Sequence, residues 1–227
     1  MSKTKLGNFT LGATLVSVLL LTPSMSIAQA PPPRPLPIMP PSLPPSQVVD
    51  LMTQPGIATL GGQWKVADVK IVEVPAIPNA MPAYKTTYNI EPKAGAADYD
   101  DSHWDKIDAK DLAARRGGGH VSFLWYRTSL TVPDKIGAFE TAGAVAVLSV
   151  TVDDYAEVWV DGAIPGRSGY PSPATIQGHN MPQRVVLGTA VKPGDTFKIA
   201  IFAINGPISI APANFVWFRE AKLEFFK

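Results

Sequence analysis

Between residues 62 and 226 the chain alternates short apolar runs with clusters of Gly, Pro, Asp and Asn. The runs are GQWKVADVKIVEVP (62–75), VSFLWYRTSLTV (121–132), AVAVLSVTV (144–152), YAEVWVDG (155–162), QRVVL (183–187), TFKIAIFAI (196–204) and FVWFREAKLEFF (215–226). Each is rich in β-branched and aromatic residues, none carries a sustained helical period, and the spacing of the turn clusters is that of consecutive hairpins. The pattern predicts an all-β chain folded as an antiparallel β-sandwich over residues 60–227. Run 196–204 is apolar on both faces, which predicts a two-layer core. In 62–75 the apolar phase slips between Val66 and Val69, predicting a bulge or two short strands. Asp161-Gly162 is a tight-turn signal at the end of its strand.

Upstream, Ser46 stands as a helix cap before VVDLMTQ, where Val48, Leu51 and Met52 share a helical face, and Pro55-Gly56 supplies a stop. Residues 46–59 are therefore expected to form a short helical lead-in. Residues 31–45 contain nine prolines in fifteen positions, a composition that favours extended polyproline chain, as a spacer or as a disordered tail. Residues 1–30 run from a basic head (Lys3, Lys5) through an apolar stretch (Leu11 to Leu21) into small residues, the layout of a secretory signal peptide cut after Ala28 or Ala30. The apolar stretch is shorter than the roughly 20 residues of a membrane span. The expectation is an exported protein, periplasmic or extracellular, with no membrane span once the signal is removed.

The chain has no cysteine, which removes disulfides, thiol nucleophiles and thiolate metal sites from consideration. Stability then rests on one core in a mature chain of about 190 residues. Loss of Lys3 and Lys5 with the signal leaves 18 basic against 19 acidic residues, a balance that does not suit nucleic acid.

The order YDDSHWDKID (99–108), WYRTSLTVP (125–133), VDDYAEVWVDG (152–162) and VKPGDTFKIAI (191–201) resembles the sugar-binding jelly-roll domain of family 2 glycoside hydrolases, within the galactose-binding-like superfamily. More faintly, the chain is similar to the N-terminal domain of secreted gluconolactonase-like proteins. The resemblance covers about residues 60–227 and implies a galactose-binding-like sandwich that contacts carbohydrate, or the companion domain of a glycosidase or gluconolactonase. Family 2 enzymes keep their catalytic acids in a separate barrel domain, and nothing in this chain alternates strand and helix to build one.

Read from the residues themselves, Asp100 or Asp101 can cap one helical turn that brings Trp104 onto the sandwich, with packing favoured over ligand contact. Asp153 and Asp154 adjoin on a strand and diverge, unlike the facing pair of glycoside cleavage, and read as solvated edge charges. GRSGY (166–170) misses the nucleophile elbow by one position, which argues against Ser168 as a nucleophile. The three histidines lack the pairing of a zinc site. DYDDS (98–102) starts like a calcium loop but lacks the glycine at position six and the acid at position twelve, leaving Asp98 and Asp100 as candidate ligands of a structural calcium outside the EF-hand type. No other cofactor is expected.

Alternation in AEVWVDG places Ala156, Val158 and Val160 on a core face and Glu157, Trp159 and Asp161 on the other. A sugar site needs an aromatic surface and a few fixed hydrogen-bonding groups. Trp159 and Tyr170 are the candidates for the first, and Arg127, Glu157, His179 and Asn180 for the second, centred on the long loop 162–183. The competing reading pairs Arg127 with Glu157 across neighbouring strands and lays Tyr170 over the core. RRGGGH (115–120) leads into a strand instead of a helix, so its glycines do not form a phosphate cradle. It is a mobile loop, solvated or carrying Arg115, Arg116 and His120 to a ligand. The function expected is a non-catalytic carbohydrate-binding module. The alternative is a structural or accessory module that contacts another exported protein.

Overall fold

The computed structural model describes residues 39–76, 86–167, 170–210 and 213–227. The expected signal peptide, the first part of the proline-rich stretch and Ser168 lie outside them. Described elements are β1 (Gln47–Asp50), helix α1 (Gln54–Thr59), β2 (Trp64–Asp68), β3 (Lys70–Val74), β4 (Thr87–Glu91), β5 (Asp105–Ile107) and β6 (Phe123–Thr131). The minor hairpin β7 (Lys135–Ile136) and β8 (Phe139–Glu140) follows, then β9 (Val145–Asp153), β10 (Tyr155–Val160), β11 (Gly166–Arg167), β12 (Tyr170–Pro171), β13 (Ile176–Gln177), β14 (Gln183–Gly188), β15 (Thr196–Ile204) and β16 (Trp217–Phe226). Single 3-10 turns occupy Ala109–Ala113 and Ile208–Ile210. No helix among the described residues is long and apolar enough to cross a membrane.

Two sheets make the expected antiparallel β-sandwich. One has the order β1-β16-β9-β14 and the other β13-β10-β15-β6-β2-β5. The core lies between them and is set by period-two alternation. Leu124, Tyr126 and Leu130 of β6, Ile199, Ile201 and Ala203 of β15, and Ala156 and Val158 of β10 face Leu148, Val150 and Val152 of β9 and Phe218, Leu223 and Phe225 of β16. At about 25 cal/mol per Å² of buried apolar surface, this interface supplies the dominant folding term in a chain without disulfides.

The phase slip at Val66–Val69 resolves into two strands, β2 in the large sheet and β3 in a hairpin with β4. Asp161 and Gly162 form a two-residue hairpin turn with φ of 49° and 85°. Val160 and Ala163 exchange backbone hydrogen bonds of 2.9 and 3.1 Å across it, the geometry that favours Asp-Gly.

Residues 46–59 do not form the expected helical lead-in. Gln47–Asp50 is a strand paired antiparallel to β16, and the helix begins only at Gln54. Ser46 N–H donates to the Phe225 carbonyl and Leu51 N–H to that of Ala221, so the free edge of β16 captures a segment whose local pattern is helical. The cap is Thr53, whose hydroxyl accepts from Gly56 N–H at 3.2 Å. Pro55 sits in the first helical turn, where a missing N–H costs nothing, so it helps to start the helix instead of stopping it. The proline-rich stretch is tied down at its end: the Pro41 carbonyl accepts from Arg184, which also pairs with Glu224 at 2.7 Å.

Candidate functional site

The outer face of the six-stranded sheet is not bare. Alternation sends Trp125, Ala200 and Phe202 away from the sandwich core, and there they join Val69, Ala94 and Trp104 in a second buried cluster. The cover is the segment 92–104. Trp125 Nε1 donates to the Pro92 carbonyl at 2.9 Å, Trp104 packs on Tyr99 with ring centroids 5.5 Å apart, and Gly95 lies against the Trp159 indole. A Cβ at residue 95 would sit 2.6 Å from indole atoms, so only glycine allows this approach. β15 is apolar on both sides because each side has its own cover.

The same segment carries polar chemistry beside the aromatic cluster. Lys65 of β2 and Arg127 of β6 are cross-strand partners, and Ala200 and then Trp159 continue the row. The Asp101 carboxylate reaches down to this row. Its Oδ2 accepts from Arg127 Nε at 2.8 Å, and its Oδ1 accepts from Lys65 Nζ at 2.6 Å. Arg127 Nη1 donates to the carbonyls of Ala94 and Ala96. The guanidinium also lies over the Tyr99 ring at 5.5 Å, a further attraction for a desolvated cation. Burial alone would raise the Asp101 carboxyl, but hydrogen bonds from Lys65 and Arg127, reinforced by their charges, outweigh it and hold the group below the usual carboxylate range.

Arg127 is therefore a buried charge, its side chain 6% exposed, fixed from three directions. Its Nη2 makes no hydrogen bond among the described residues. Arg127 lines a cleft of about 270 Å³ together with Lys65, Tyr99, Asp101, Ser129 and Lys198. The cleft has an aromatic wall, a hydroxyl and fixed charged donors. It carries three cations against one carboxylate.

Of the residues singled out in the sequence, Arg127, Glu157 and Trp159 share this sheet face. Arg127 and Glu157 do not pair: their cross-strand neighbours on β15 are Ala200 and Phe202 respectively. Glu157 instead accepts from the Tyr155 hydroxyl at 2.9 Å; burial, then the Glu157 charge, pushes that hydroxyl well above its ordinary value. Trp159 leaves the core as alternation requires, yet it is half-buried, 6.2 Å from the Trp125 ring and under Gly95, not an open platform. Tyr170, on the β11–β12 hairpin, is 74% exposed and covers no core.

His179 and Asn180 form a left-handed turn before β14, with φ of 52° and 61°. Asn180 N–H donates to the Asp154 carbonyl, and the exposed His179 ring is 3.9 Å from the Asp154 carboxylate. His120 sits at the end of the glycine loop, next to the extended approach to β6 and not at a helix. Arg116 in that loop bridges Val216 and donates to the Asp111 carbonyl, and Arg115 lies over the Trp217 ring at 4.8 Å. Tyr170, His179 with Asn180, and His120 thus occupy separate loops.

The reading of one acidic residue changes. Asp153 is not a solvated edge charge: it is buried and accepts from Asn205 Nδ2 and Arg219 Nε, each at 2.9 Å. Asp100 takes the expected capping role, accepting from Ser102 N–H at 3.0 Å, and its bonds to Ser102 lower its carboxyl. Among the described residues no three His, Asp or Glu side chains gather as a metal site, so Asp98 and Asp100 have no third such ligand beside them.

Lys65, Tyr99, Asp101, Ser129 and Lys198 escape a sequence-based search for site residues. Period two from Arg127 reaches Ser129 on the same face, and the strand phase of WKVAD places Lys65 opposite Trp64, so for these two a signal exists. Asp101 becomes a partner of Arg127 only through the path of segment 92–104, which has no periodic signature.

No family model matches the chain, and no curated protein matches it. Among solved structures, the chain is similar to β-glucosidase from Kluyveromyces marxianus in complex with glucose, with 11% identity and a TM-score of 0.25 over 43% of this chain and 11% of the enzyme. A selenomethionine-labelled form of that enzyme aligns with 10% identity and a TM-score of 0.34 over 80% of this chain. The aligned part spans 19% of the enzyme's length.

Proposed function

We propose that the protein is an exported, non-catalytic carbohydrate-binding module, a sandwich of the galactose-binding-like jelly-roll kind, whose site is the cleft at Lys65, Tyr99, Arg127, Ser129 and Lys198. The observation that carries this reading is the Arg127 guanidinium, held by Asp101 and two backbone carbonyls at the wall of the cleft. Desolvating a charge costs several kcal/mol, and fixed donors of this sort give orientation to a polyhydroxylated ring. Tyr99 supplies an aromatic surface for the ring's C–H groups. A binding role fits better than hydrolysis because the carboxylates of this face are engaged, Asp101 by two cations and Glu157 by a tyrosine hydroxyl.

The test is a glycan array on the full chain, repeated with Ser129→Trp, whose indole would fill the cleft from an exposed strand position. Saturable binding to a defined saccharide that the variant loses supports the reading. Absence of any glycan binding by the folded protein overturns it.

An interaction module of an exported complex is the second reading. It is favoured by Ile71 and Tyr88, which are 43% and 62% exposed on the same face of the β3–β4 hairpin. Copurification with one protein, lost on Tyr88→Ser and unaffected by Ser129→Trp, would favour it over the first.

A further inference from the structure

The charges of the cleft point to the class of saccharide. Asp101 is fully used by its two cations, one oxygen to Lys65 and one to Arg127. Two positive charges face a single negative one there, before Lys198 is counted. Lys198 is exposed on β15 directly across from Ser129, and its ammonium has no ion-pair partner among the described residues. The Asp161 carboxylate accepts from the Lys198 backbone N–H. The cleft is therefore lined by a guanidinium that shares its one carboxylate with Lys65 and by an ammonium without an ion-pair partner among the described residues.

We infer that the cleft takes the carboxylate-bearing ring of an acidic saccharide, a hexuronic acid unit, with the carboxylate at Arg127 and Lys198 and the ring against Tyr99. This rests on the proposal that the cleft is a carbohydrate site. A neutral ring would meet the same donors with hydroxyls only, whereas a carboxylate makes charge-assisted hydrogen bonds about twice as strong. The cleft volume of about 270 Å³ suits one sugar ring. It lies just below the roughly 300–1,000 Å³ typical of pockets for larger ligands. Three cations against one carboxylate leave an excess of positive charge that a bound carboxylate lowers. Lys65, Arg127, Ser129 and Lys198 come to the cleft as side chains of strands, unlike the nest of backbone N–H groups that usually cradles a phosphate.

The experiment is calorimetric titration of the full chain with galacturonate and glucuronate oligosaccharides and with their neutral galactose and glucose counterparts, at two salt concentrations. The expected result is uronate binding about tenfold tighter than neutral binding, a preference that narrows with salt. Lys198→Ala should narrow the uronate-to-neutral ratio, and Ser129→Trp should abolish uronate binding with the melting temperature unchanged, both positions being exposed. Equal affinity for neutral and acidic saccharides, or a ratio indifferent to Lys198→Ala, overturns the uronate inference and leaves the carbohydrate site standing. Uronate binding that survives Ser129→Trp also overturns it, since the ligand then sits elsewhere. No binding of any of these saccharides overturns both.

Discussion

Arg127 donates from Nε to Asp101 Oδ2 at 2.8 Å, and this bond joins the middle of the six-stranded sheet to the loop that covers it. Removing the acid leaves a guanidinium that is 6% exposed without its counter-charge. Asp101→Ala is expected to destabilise the protein by about 2–4 kcal/mol, toward the lower end of what a broken buried pair costs because Asp101 itself is partly solvated. Arg127→Met should cost less, since it removes the buried charge as well. Urea unfolding of the two single variants and the double variant measures this directly.

Acid should act through the same carboxyl. The folded-state value of Asp101 is lowered from 3.8, so its contribution to stability is present in full above that value and is lost as pH falls through the folded one. The stability difference between the natural protein and Asp101→Asn is predicted to be largest near neutral pH and to shrink below pH 3.8. Paired urea titrations across that range check the sign.

Packing on the outer face gives a third expectation. Gly95→Ala forces a methyl against the Trp159 indole and should cost about 1–3 kcal/mol, the usual penalty for overpacking. Trp159→Ala and Trp104→Ala both open cavities in the same cluster and should cost about 2–5 kcal/mol, with the larger loss at Trp104, which is more buried. Tyr170→Ala, at an exposed position, should leave the melting temperature within a few degrees. Thermal unfolding of the four variants separates these outcomes.

Export predicts a fourth. The mature protein should begin just after Ala28 or Ala30, and intact mass measurement of the exported chain reads this; retention of Met1 would contradict it.

The strands are legible in the sequence because their cause is local. Period two in 121–132 and 196–204 and the Asp161-Gly162 turn are statements about neighbouring residues, and the structure places strands and turn there. The lead-in misleads for the opposite reason: Val48 and Val49 pair with Glu224 and Leu223 at the far end of the chain, and no local pattern encodes that edge. Part of the candidate site is equally visible. Arg127 is found from its strand, but its partner Asp101 lies in an irregular segment. Alternation correctly turns Trp159 away from the core, yet the cover that claims it is Gly95, a residue whose meaning is the lack of a side chain. Alternation tells which face a residue occupies and is silent on whether another segment crosses that face.

Saccharide binding at the cleft beside Arg127 is tested most directly by following backbone amide resonances of the isotopically labelled full chain during titration with a galacturonate oligosaccharide. Saturable shifts centred on Lys65, Tyr99, Ser129 and Lys198 are the predicted result. Shifts centred instead on Tyr170, His179 and Asn180, or no shifts at saturating saccharide, would contradict it.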